Sequence, residues 1–459
     1  MASATTSPDN LSKVFKAYDV RGIVGEQLDE DLARATGAAY VEVLGVDALV
    51  IGYDMRPSSP TLAGAFADGA TSAGADVTMI GLASTDQLYF ASGHLGLPGA
   101  MFTASHNPAQ YNGIKLCRAH AQPVGMESGL AEIRDRVASG APATPSGRVG
   151  AISSHDVLQA YAAHLLSLAP VEGRRIKVVV DAGNGMAGHT APAVFDRLAD
   201  RVDMVPLYFE LDGTFPNHEA NPIEPANLVD LQKRVLAEGA DIGLAFDGDA
   251  DRCFLVDERG ELVSPSTLTA LIAARELAKE PGATVIHNLI TSRAVPEIVT
   301  ELGGTPVRTR VGHSFIKARM AETDAIFGGE HSGHFYFRDF WRADSGMLAA
   351  LHAMAALAEA DVPLSALLAT YERYPLSGEI NSTVADQEAV LAELESGWGA
   401  REGVSIDKLD GLSVSHADWA FNVRASNTEP LLRLNVEGKD EPTMARVRDE
   451  VLATIRGEQ

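Results

Sequence analysis

The chain has 459 residues, 46% hydrophobic and 22% charged, with mean hydropathy near zero. At roughly one to two hundred residues per domain, that is about three or four domains, each able to bury its own core, and it excludes a disordered or fibrous protein. Thirty-seven Lys and Arg against 62 Asp and Glu leave a formal charge of −25, which repels nucleic-acid phosphates and anionic lipid alike.

No nucleic acid and no membrane is therefore expected as a partner. An anionic substrate needs a local positive island, because charge is screened beyond about 8–10 Å at physiological salt. Two cysteines, Cys117 and Cys253, are too few for a disulfide framework. The N-terminal stretch has no apolar leader and no 18-residue apolar run occurs, so a cytoplasmic soluble protein is expected.

From residue 48 the chain alternates strand (ALVIGYD), amphipathic helix (58–74), strand (DVTMIGL), helix (86–94) and strand (GAMFT). That alternation marks βαβ units. A stretch rich in Gly, Pro, Ser and Ala, 139–150, then separates this from a second α/β unit with strands IKVVVDA, DMVPLYF, DIGLAFD and RCFLVDE. A third unit carries a helix at 265–279, strand ATVIHNL, a helix from 292, strand TPVRT, a helix from 314 and strand AIFGG. After 374 the pattern changes to strands LSGEINSTV, GLSVSHADWAFNVRA and PLLRLNVE, followed by a terminal helix. The fold expected is α/β: three consecutive mixed-sheet α/β domains, 1–150, 151–259 and 260–373, plus a smaller C-terminal α+β domain, 374–459.

Four stretches carry chemistry. Asp247-Gly248-Asp249-Ala250-Asp251-Arg252 follows an apolar strand, and carboxylates at alternate positions around a glycine can converge on one hard cation. A calcium loop would place Glu258 at its twelfth position, but Arg252 stands where that loop needs glycine, and CFLVD reads as a strand. An arginine beside the carboxylates points to an anion as well, such as a phosphoryl group.

Thr103-Ala104-Ser105-His106-Asn107-Pro108 follows strand GAMFT, where α/β sheets bind ligands. A hydrolase serine with His106 as base fits poorly, since no G-x-S-x-G elbow surrounds it. A serine carrying a phosphoryl group in transit fits better, with Lys115 compensating charge. In Gly329-Glu330-His331-Ser332-Gly333-His334, donors and acceptors between glycines suit sugar hydroxyls, and only two imidazoles are present for a metal. Arg424-Ala425-Ser426-Asn427-Thr428-Glu429-Pro430 has the composition of a phosphate cradle. Gly183-Asn184-Gly185-Met186-Ala187-Gly188 matches the dinucleotide pattern literally, yet tight strand-to-helix turns also produce it.

Together, TASHNP, DGDADR, GEHSGH and RASNTEP, in that order, with Tyr18-Asp19-Val20-Arg21-Gly22 and Gly312-His313-Ser314, resemble the α-D-phosphohexomutase family and its bacterial phosphomannomutase/phosphoglucomutase branch. The resemblance spans essentially the full length and implies four domains around a central cleft. It implies reversible phosphoryl transfer between hexose 1-phosphate and hexose 6-phosphate through a 1,6-bisphosphate. Ser105 matches the phosphorylated serine, and Asp247, Asp249 and Asp251 match Mg²⁺ ligands, with Ser105 completing the coordination. Arg21, His106, Lys115 and Arg252 match residues around the reacting phosphoryl group, Lys115 and Arg21 as candidates for proton handling or charge stabilisation. Glu330 and Ser332 match the pair on the sugar 3- and 4-hydroxyls, His313 and His334 line the same pocket, and Tyr18 also belongs to the substrate side. Arg424, Ser426, Asn427 and Thr428 match the loop on the non-reacting phosphate.

The resemblance further implies hexose phosphates as small-molecule partners and glucose or mannose 1,6-bisphosphate as activator. Some mutases carry a lysine near 287–293, where this chain offers Arg293. Mannose and glucose preference stays open, as do the alternatives of a phosphoglucosamine mutase and a sugar-phosphate-binding protein without turnover.

Overall fold

A computed structural model describes residues 4–140, 147–425 and 431–457, with Ala4, His313 and Ser314 described by their backbone alone. The chain forms two compact units. One comprises the residues up to Ser264 together with Ser332–Leu367, the other Pro265–His331 and the residues from Leu368 onward.

In the first unit, α1 (Pro8–Val14) precedes β1 (Val20–Ile23), α2 (Glu30–Leu44), β2 (Ala48–Tyr53), α3 (Ser59–Ser72), β3 (Asp76–Leu82), α4 (Thr85–Leu95), β4 (Gly99–Phe102) and β5 (Tyr111–Arg118). Next come β6 (Gln122–Pro123), α5 (Ala131–Ala138) and β7 (Ile152–Ser154). These strands make one mixed sheet in the order β1-β5-β4-β2-β3-β7, with β6 on β5. Strand β7, beyond the Gly/Pro/Ser/Ala-rich stretch, returns parallel to β3.

A second mixed sheet follows α6 (Leu158–Leu168): β8 (Ile176–Asp181), α7 (Ala187–Phe195), β9 (Val202–Leu207), α8 (Val229–Glu238), β10 (Ile242–Phe246), β11 (Cys253–Asp257) and β12 (Leu262–Val263). Its order is β12-β11-β10-β8-β9. Every residue of β10 and β11 is buried, which is why both read as unbroken apolar runs instead of alternating ones.

The second unit begins with α9 (Pro265–Lys279), β13 (Thr284–Asn288), α10 (Ala294–Glu301), β14 (Thr305–Thr309), α11 (His313–Thr323) and β15 (Phe327–Gly329). Strand β13 pairs parallel with β14 and with β15. The chain then contributes β16 (Phe335–Phe337), β17 (Ala343–Asp344) and α12 (Gly346–Glu359) to the first unit. After the short α13 (Leu364–Leu368) it completes the second with β18 (Leu376–Thr383), α14 (Gln387–Gly399), β19 (Ser405–Asp407), β20 (Leu412–His416), β21 (Trp419–Ala425), β22 (Leu431–Gly438) and α15 (Glu441–Arg456). These five strands form an antiparallel sheet ordered β18-β22-β21-β20-β19. The run GLSVSHADWAFNVRA is thus a hairpin of two strands. Among the described residues no helix is long and apolar enough to cross a membrane.

Helices α2 and α3 are held so close that side chains are excluded at their crossing. A Cβ on Gly37 would lie 2.2 Å from the Phe66 carbonyl oxygen, and one on Gly69 would lie 2.0 Å from that of Arg34. Both helices pack on the core that includes Tyr40, Phe66 and Phe102. Gly64, in the same helix as Gly69, has nothing within 4 Å of an added Cβ. We expect Gly69→Ala to destabilise the protein by about 1–3 kcal/mol despite alanine's better helix propensity. Gly64→Ala should stabilise it by up to about 1 kcal/mol. Urea midpoints of the two variants against the parent check both signs.

Candidate functional site

The serine loop leaves the C-terminal end of β4, an interior strand of the first sheet. Ser105 takes a left-handed backbone, φ +51°, which is unfavourable for a residue with a Cβ and persists only where its surroundings hold it. Arg56 supplies much of that hold. Only 1% exposed, its guanidinium donates to the carbonyls of Ser105 (2.9 Å), Asn107 (2.6 Å), Pro108 (2.9 Å) and Tyr111 (3.0 Å). Asp54, fully buried, balances its charge at 3.3 Å and accepts from Ser59 at 2.6 Å. Burial raises the Asp54 pKa and lowers that of Arg56, each partly offset by the other's charge.

Ser105 Oγ donates to Asp247 Oδ2 at 2.8 Å and lies 3.2 Å from His106 Nδ1. Burial, then Arg252 and Arg21, push the His106 pKa well below the usual imidazole range, so its ring is neutral at pH 7. Arg21 reaches the loop through Asn107 Oδ1 (2.6 Å) and pairs with Asp19.

The acidic loop sits at the turn from β10 to β11. Asp247, Asp249 and Asp251 are at most 1% exposed. Lys115, which projects from β5, bridges Asp249 Oδ2 (2.7 Å) and Asp251 Oδ2 (2.6 Å). Arg252 lies 3.5 Å from Asp247 Oδ2. Burial works against the Lys115 charge, but the two carboxylates outweigh it and hold the pKa well above the lysine range. Burial likewise opposes the Asp249 charge, and Lys115 overcomes it and lowers that pKa. Asp247 is pushed the other way, upward, by burial and then by Asp251 and Asp249. A Cβ on Gly248 would come within 2.4 Å of the Ser105 carbonyl oxygen, so the acidic and serine loops touch backbone to backbone.

One oxygen from each of the three carboxylates lies within 4.8 Å of the others. Asp249 Oδ1 and Asp251 Oδ1 are buried and make no hydrogen bond among the described residues. Leaving such oxygens unmatched is unfavourable, and a cluster of hard carboxylate oxygens suits a divalent cation that prefers oxygen ligands. The residues present fit a metal ion.

His334 joins the same unit through an isolated bridge to Arg252, with Nδ1 2.9 Å from Asp344 Oδ2 and 3.7 Å from Asp251 Oδ1. The glycine run 183–188 supports the acidic loop: Met186 N–H donates to the Gly248 carbonyl at 2.9 Å, and a Cβ on Gly185 would lie 2.7 Å from that oxygen. Its pattern therefore has a packing cause without a dinucleotide. Glu258 accepts from the Ser365 backbone and hydroxyl, away from the acidic loop.

In the second unit Glu330, 2% exposed, follows β15 and accepts from Asn288 Nδ2 (3.3 Å) and the Gly312 N–H (3.0 Å). Arg424, on β21, donates to Glu379 Oε2 at 2.9 Å, and Arg433 approaches the other Glu379 oxygen at 3.3 Å. Arg293 is held in this unit: its Nε and backbone N–H hold Glu437, Nη1 donates to the His416 carbonyl at 3.0 Å, and the guanidinium lies 4.7 Å from the Tyr374 ring centre, while Nη2 is buried and makes no hydrogen bond among the described residues. It thereby ties the start of α10 to β22.

Of the residues singled out from sequence, Ser105, His106, Lys115, Asp247, Asp249, Asp251, Arg252 and His334 converge in the first unit, and Arg21 joins through Asn107. Tyr18 and Ser332 are half-buried in that same unit. Glu330 and Arg424 belong to the second. Ser426, Asn427 and Thr428 and the His313 side chain lie outside the described residues. The sequence reading missed Asp54, Arg56, Thr85, Asp344 and Glu379. Two charged residues directly after the apolar run ALVIGY were a signal for the Asp54–Arg56 pair, since a strand's C-terminal end in an α/β sheet lies on the ligand side.

Comparison with known proteins matches this arrangement. The family models for phosphoglucomutase/phosphomannomutase match in four parts: alpha/beta/alpha domain I at residues 12–143, domain II at 159–260, domain III at 264–374 and the C-terminal domain at 379–454. A phosphomannomutase of Escherichia coli (strain K12) is 41% identical over 451 residues, covering 97% of this chain and 99% of that protein. A protein of Xanthomonas campestris pv. campestris named "Phosphohexose mutases" is 40% identical, covering 96% of this chain and 98% of its own. The crystal structure of a phosphoglucomutase/phosphomannomutase family protein from Burkholderia thailandensis superposes with a TM-score of 0.87 at 33% identity, covering 100% of this chain and 99% of that one. With all four domain models matched in order along nearly its whole length, this chain belongs to the phosphoglucomutase/phosphomannomutase family.

Proposed function

We propose that the chain is a hexose-phosphate mutase that moves a phosphoryl group reversibly between the 1- and 6-hydroxyls of mannose or glucose, with Ser105 as the group that gives and recovers it. The observation that carries this reading is the buried junction at which Ser105 Oγ meets Asp247 at 2.8 Å, beside Lys115, Arg252 and two carboxylate oxygens that make no hydrogen bond among the described residues. A nucleophile for hydrolysis would need a base and an oxyanion hole. A phosphoryl carrier needs charge neutralisation and positioning, which this junction provides.

Asp247, Asp249 and Asp251, with the Ser105 oxygen, would hold Mg²⁺. When bound, the ion draws charge from the phosphoryl oxygens and favours their transfer. Lys115, bridging Asp249 and Asp251, adds positive charge at the same place and with Arg21 is a candidate for proton handling or charge stabilisation. Arg252 and Arg21 add positive charge around the phosphoryl group. His106, neutral and 3.2 Å from Ser105 Oγ, is the group positioned to exchange a proton with that oxygen. In the first half-reaction the sugar hydroxyl gains the phosphoryl group, the bond from phosphorus to Ser105 Oγ breaks, and the hydroxyl's proton is returned to Oγ; in the second the bond from phosphorus to the other sugar oxygen breaks, Ser105 Oγ gains that phosphoryl group, and the Oγ proton passes to the sugar oxygen.

Glu330 and Ser332 take the sugar hydroxyls, with Tyr18, His313 and His334 on the same substrate. Arg424 with Ser426, Asn427 and Thr428 takes the phosphate that is not reacting. The 1,6-bisphosphate formed in the first half-reaction turns around before the second, and glucose or mannose 1,6-bisphosphate from solution recharges Ser105.

Ser105→Ala is expected to lower kcat for mannose 1-phosphate and glucose 1-phosphate by about three orders of magnitude or more while circular dichroism stays unchanged. The assay contains Mg²⁺ and catalytic glucose 1,6-bisphosphate, and turnover retained by the folded variant overturns the mechanism. Arg424→Ala should raise KM by roughly tenfold to a hundredfold, the value of a charge-assisted hydrogen bond. Its kcat should change little, since the distal phosphate is bound equally in ground and transition states. Steady-state kinetics on either sugar phosphate separates the two parameters.

A further inference from the structure

We infer that Thr85 is a positioning residue for the acidic loop, holding Asp249 by one oxygen so that the other is presented to the cation. The inference rests on Asp247, Asp249 and Asp251 being the metal centre.

Thr85 opens α4 and is fully buried. It grips Asp249 twice: its hydroxyl donates to Oδ2 at 2.6 Å, and its backbone N–H donates to the Asp249 carbonyl at 3.0 Å. The first N–H groups of a helix have no partner within the helix, and here one of them terminates on the acidic loop. Lys115 Nζ reaches the same Oδ2 at 2.7 Å and stands 3.5 Å from Thr85 Oγ1. Two donors thus converge on Oδ2. Oδ1 of the same carboxylate is buried and makes no hydrogen bond among the described residues. One carboxylate oxygen fixed by protein donors and one left bare is the arrangement that orients a ligand toward a metal.

Thr85 is itself immobilised. Ser84 caps α4 by accepting from the Gln87 N–H at 3.2 Å. Asp86, fully buried, accepts from the hydroxyls of Ser84, Tyr161 (2.7 Å) and Ser345 (2.6 Å). Residues 84–86 are therefore locked to α6 and to the start of α12, and Thr85 has little freedom to follow Asp249 if that carboxylate rotates. Lys115 and Thr85 do different work. Lys115 is shared between Asp249 and Asp251 and changes the charge of the site. Thr85 is neutral and touches the Asp249 carboxylate alone among the three, so removing its hydroxyl alters orientation at constant charge.

The test is a Mn²⁺ titration of the full chain, unphosphorylated, read by the electron paramagnetic resonance signal of free Mn²⁺. Thr85→Val keeps the shape of the side chain and is expected to weaken Mn²⁺ binding by about tenfold to a hundredfold, the usual effect of removing a group that orients a metal ligand. Thr85→Ser, which restores the hydroxyl, should bind as the parent does. The Mg²⁺ concentration for half-maximal turnover should rise with Thr85→Val by a similar factor, with KM for the sugar phosphate at saturating Mg²⁺ unchanged. Should valine disturb the packing, seen as a lowered melting temperature without metal, Thr85→Ala supplies the same comparison. Parent-like Mn²⁺ affinity in the folded variant overturns the inference. Asp249→Ala separates the two levels: if it binds Mn²⁺ as tightly as the parent, or the parent binds none, the metal centre itself is wrong. If Asp249→Ala loses binding and Thr85→Val does not, only the role of Thr85 falls.

Discussion

Three carboxylates within 4.8 Å of one another and almost wholly buried repel each other in a medium that screens poorly, and the first unit is organised around offsetting that repulsion. Lys115 arrives from a strand of the first sheet and Arg252 from the loop itself, so two positive charges stand against three negative ones. Neither cation saturates the cluster. Oxygens of Asp249 and Asp251 make no hydrogen bond among the described residues, and Asp247, its pKa raised by burial and by its two neighbours, receives the Ser105 hydroxyl. The incomplete neutralisation is what makes this junction suited to a divalent cation and a phosphoryl group together.

That junction demands that two loops from different sheets meet closely. The serine loop pays in backbone strain at Ser105, and the buried Arg56, spread over four carbonyls, stabilises it. On the other side, the absence of a side chain at Gly248 lets the acidic loop approach the Ser105 carbonyl, while Gly185 and the Met186 N–H receive the back of the same loop. Residues with no chemical role thereby set the distance on which the chemistry depends.

The chain's overall charge of −25 and its attraction for anions are reconciled by distance. Arg21, Lys115 and Arg252 gather around Ser105 in the first unit, while Arg424 and Arg433 flank Glu379 in the second. Over a screening length of about 8–10 Å these clusters act locally, and the acidic remainder of the surface has little influence on them.

Much of this was legible in the chain. Strand DVTMIGL is β3 residue for residue, helix α9 and strand TPVRT fall where their periodicity puts them, and the motifs TASHNP, DGDADR and GEHSGH follow strand ends. Strand β5, helix α2, helix α14 and the turn that splits β20 from β21 were not read, since glycine, charged and small residues there blur the apolar period. By itself the sequence determined the element types and the order of the motifs along them, because periodicity and turn chemistry act over a few neighbouring residues. Tertiary structure alone decided that Lys115 bridges Asp249 across 134 positions, that Thr85 holds the same carboxylate across 164, that Asp344 faces His334, and that Arg293 belongs to Glu437. Such pairings depend on how sheets stack and helices cross, and no local pattern along a chain encodes which oxygen of a carboxylate is left bare.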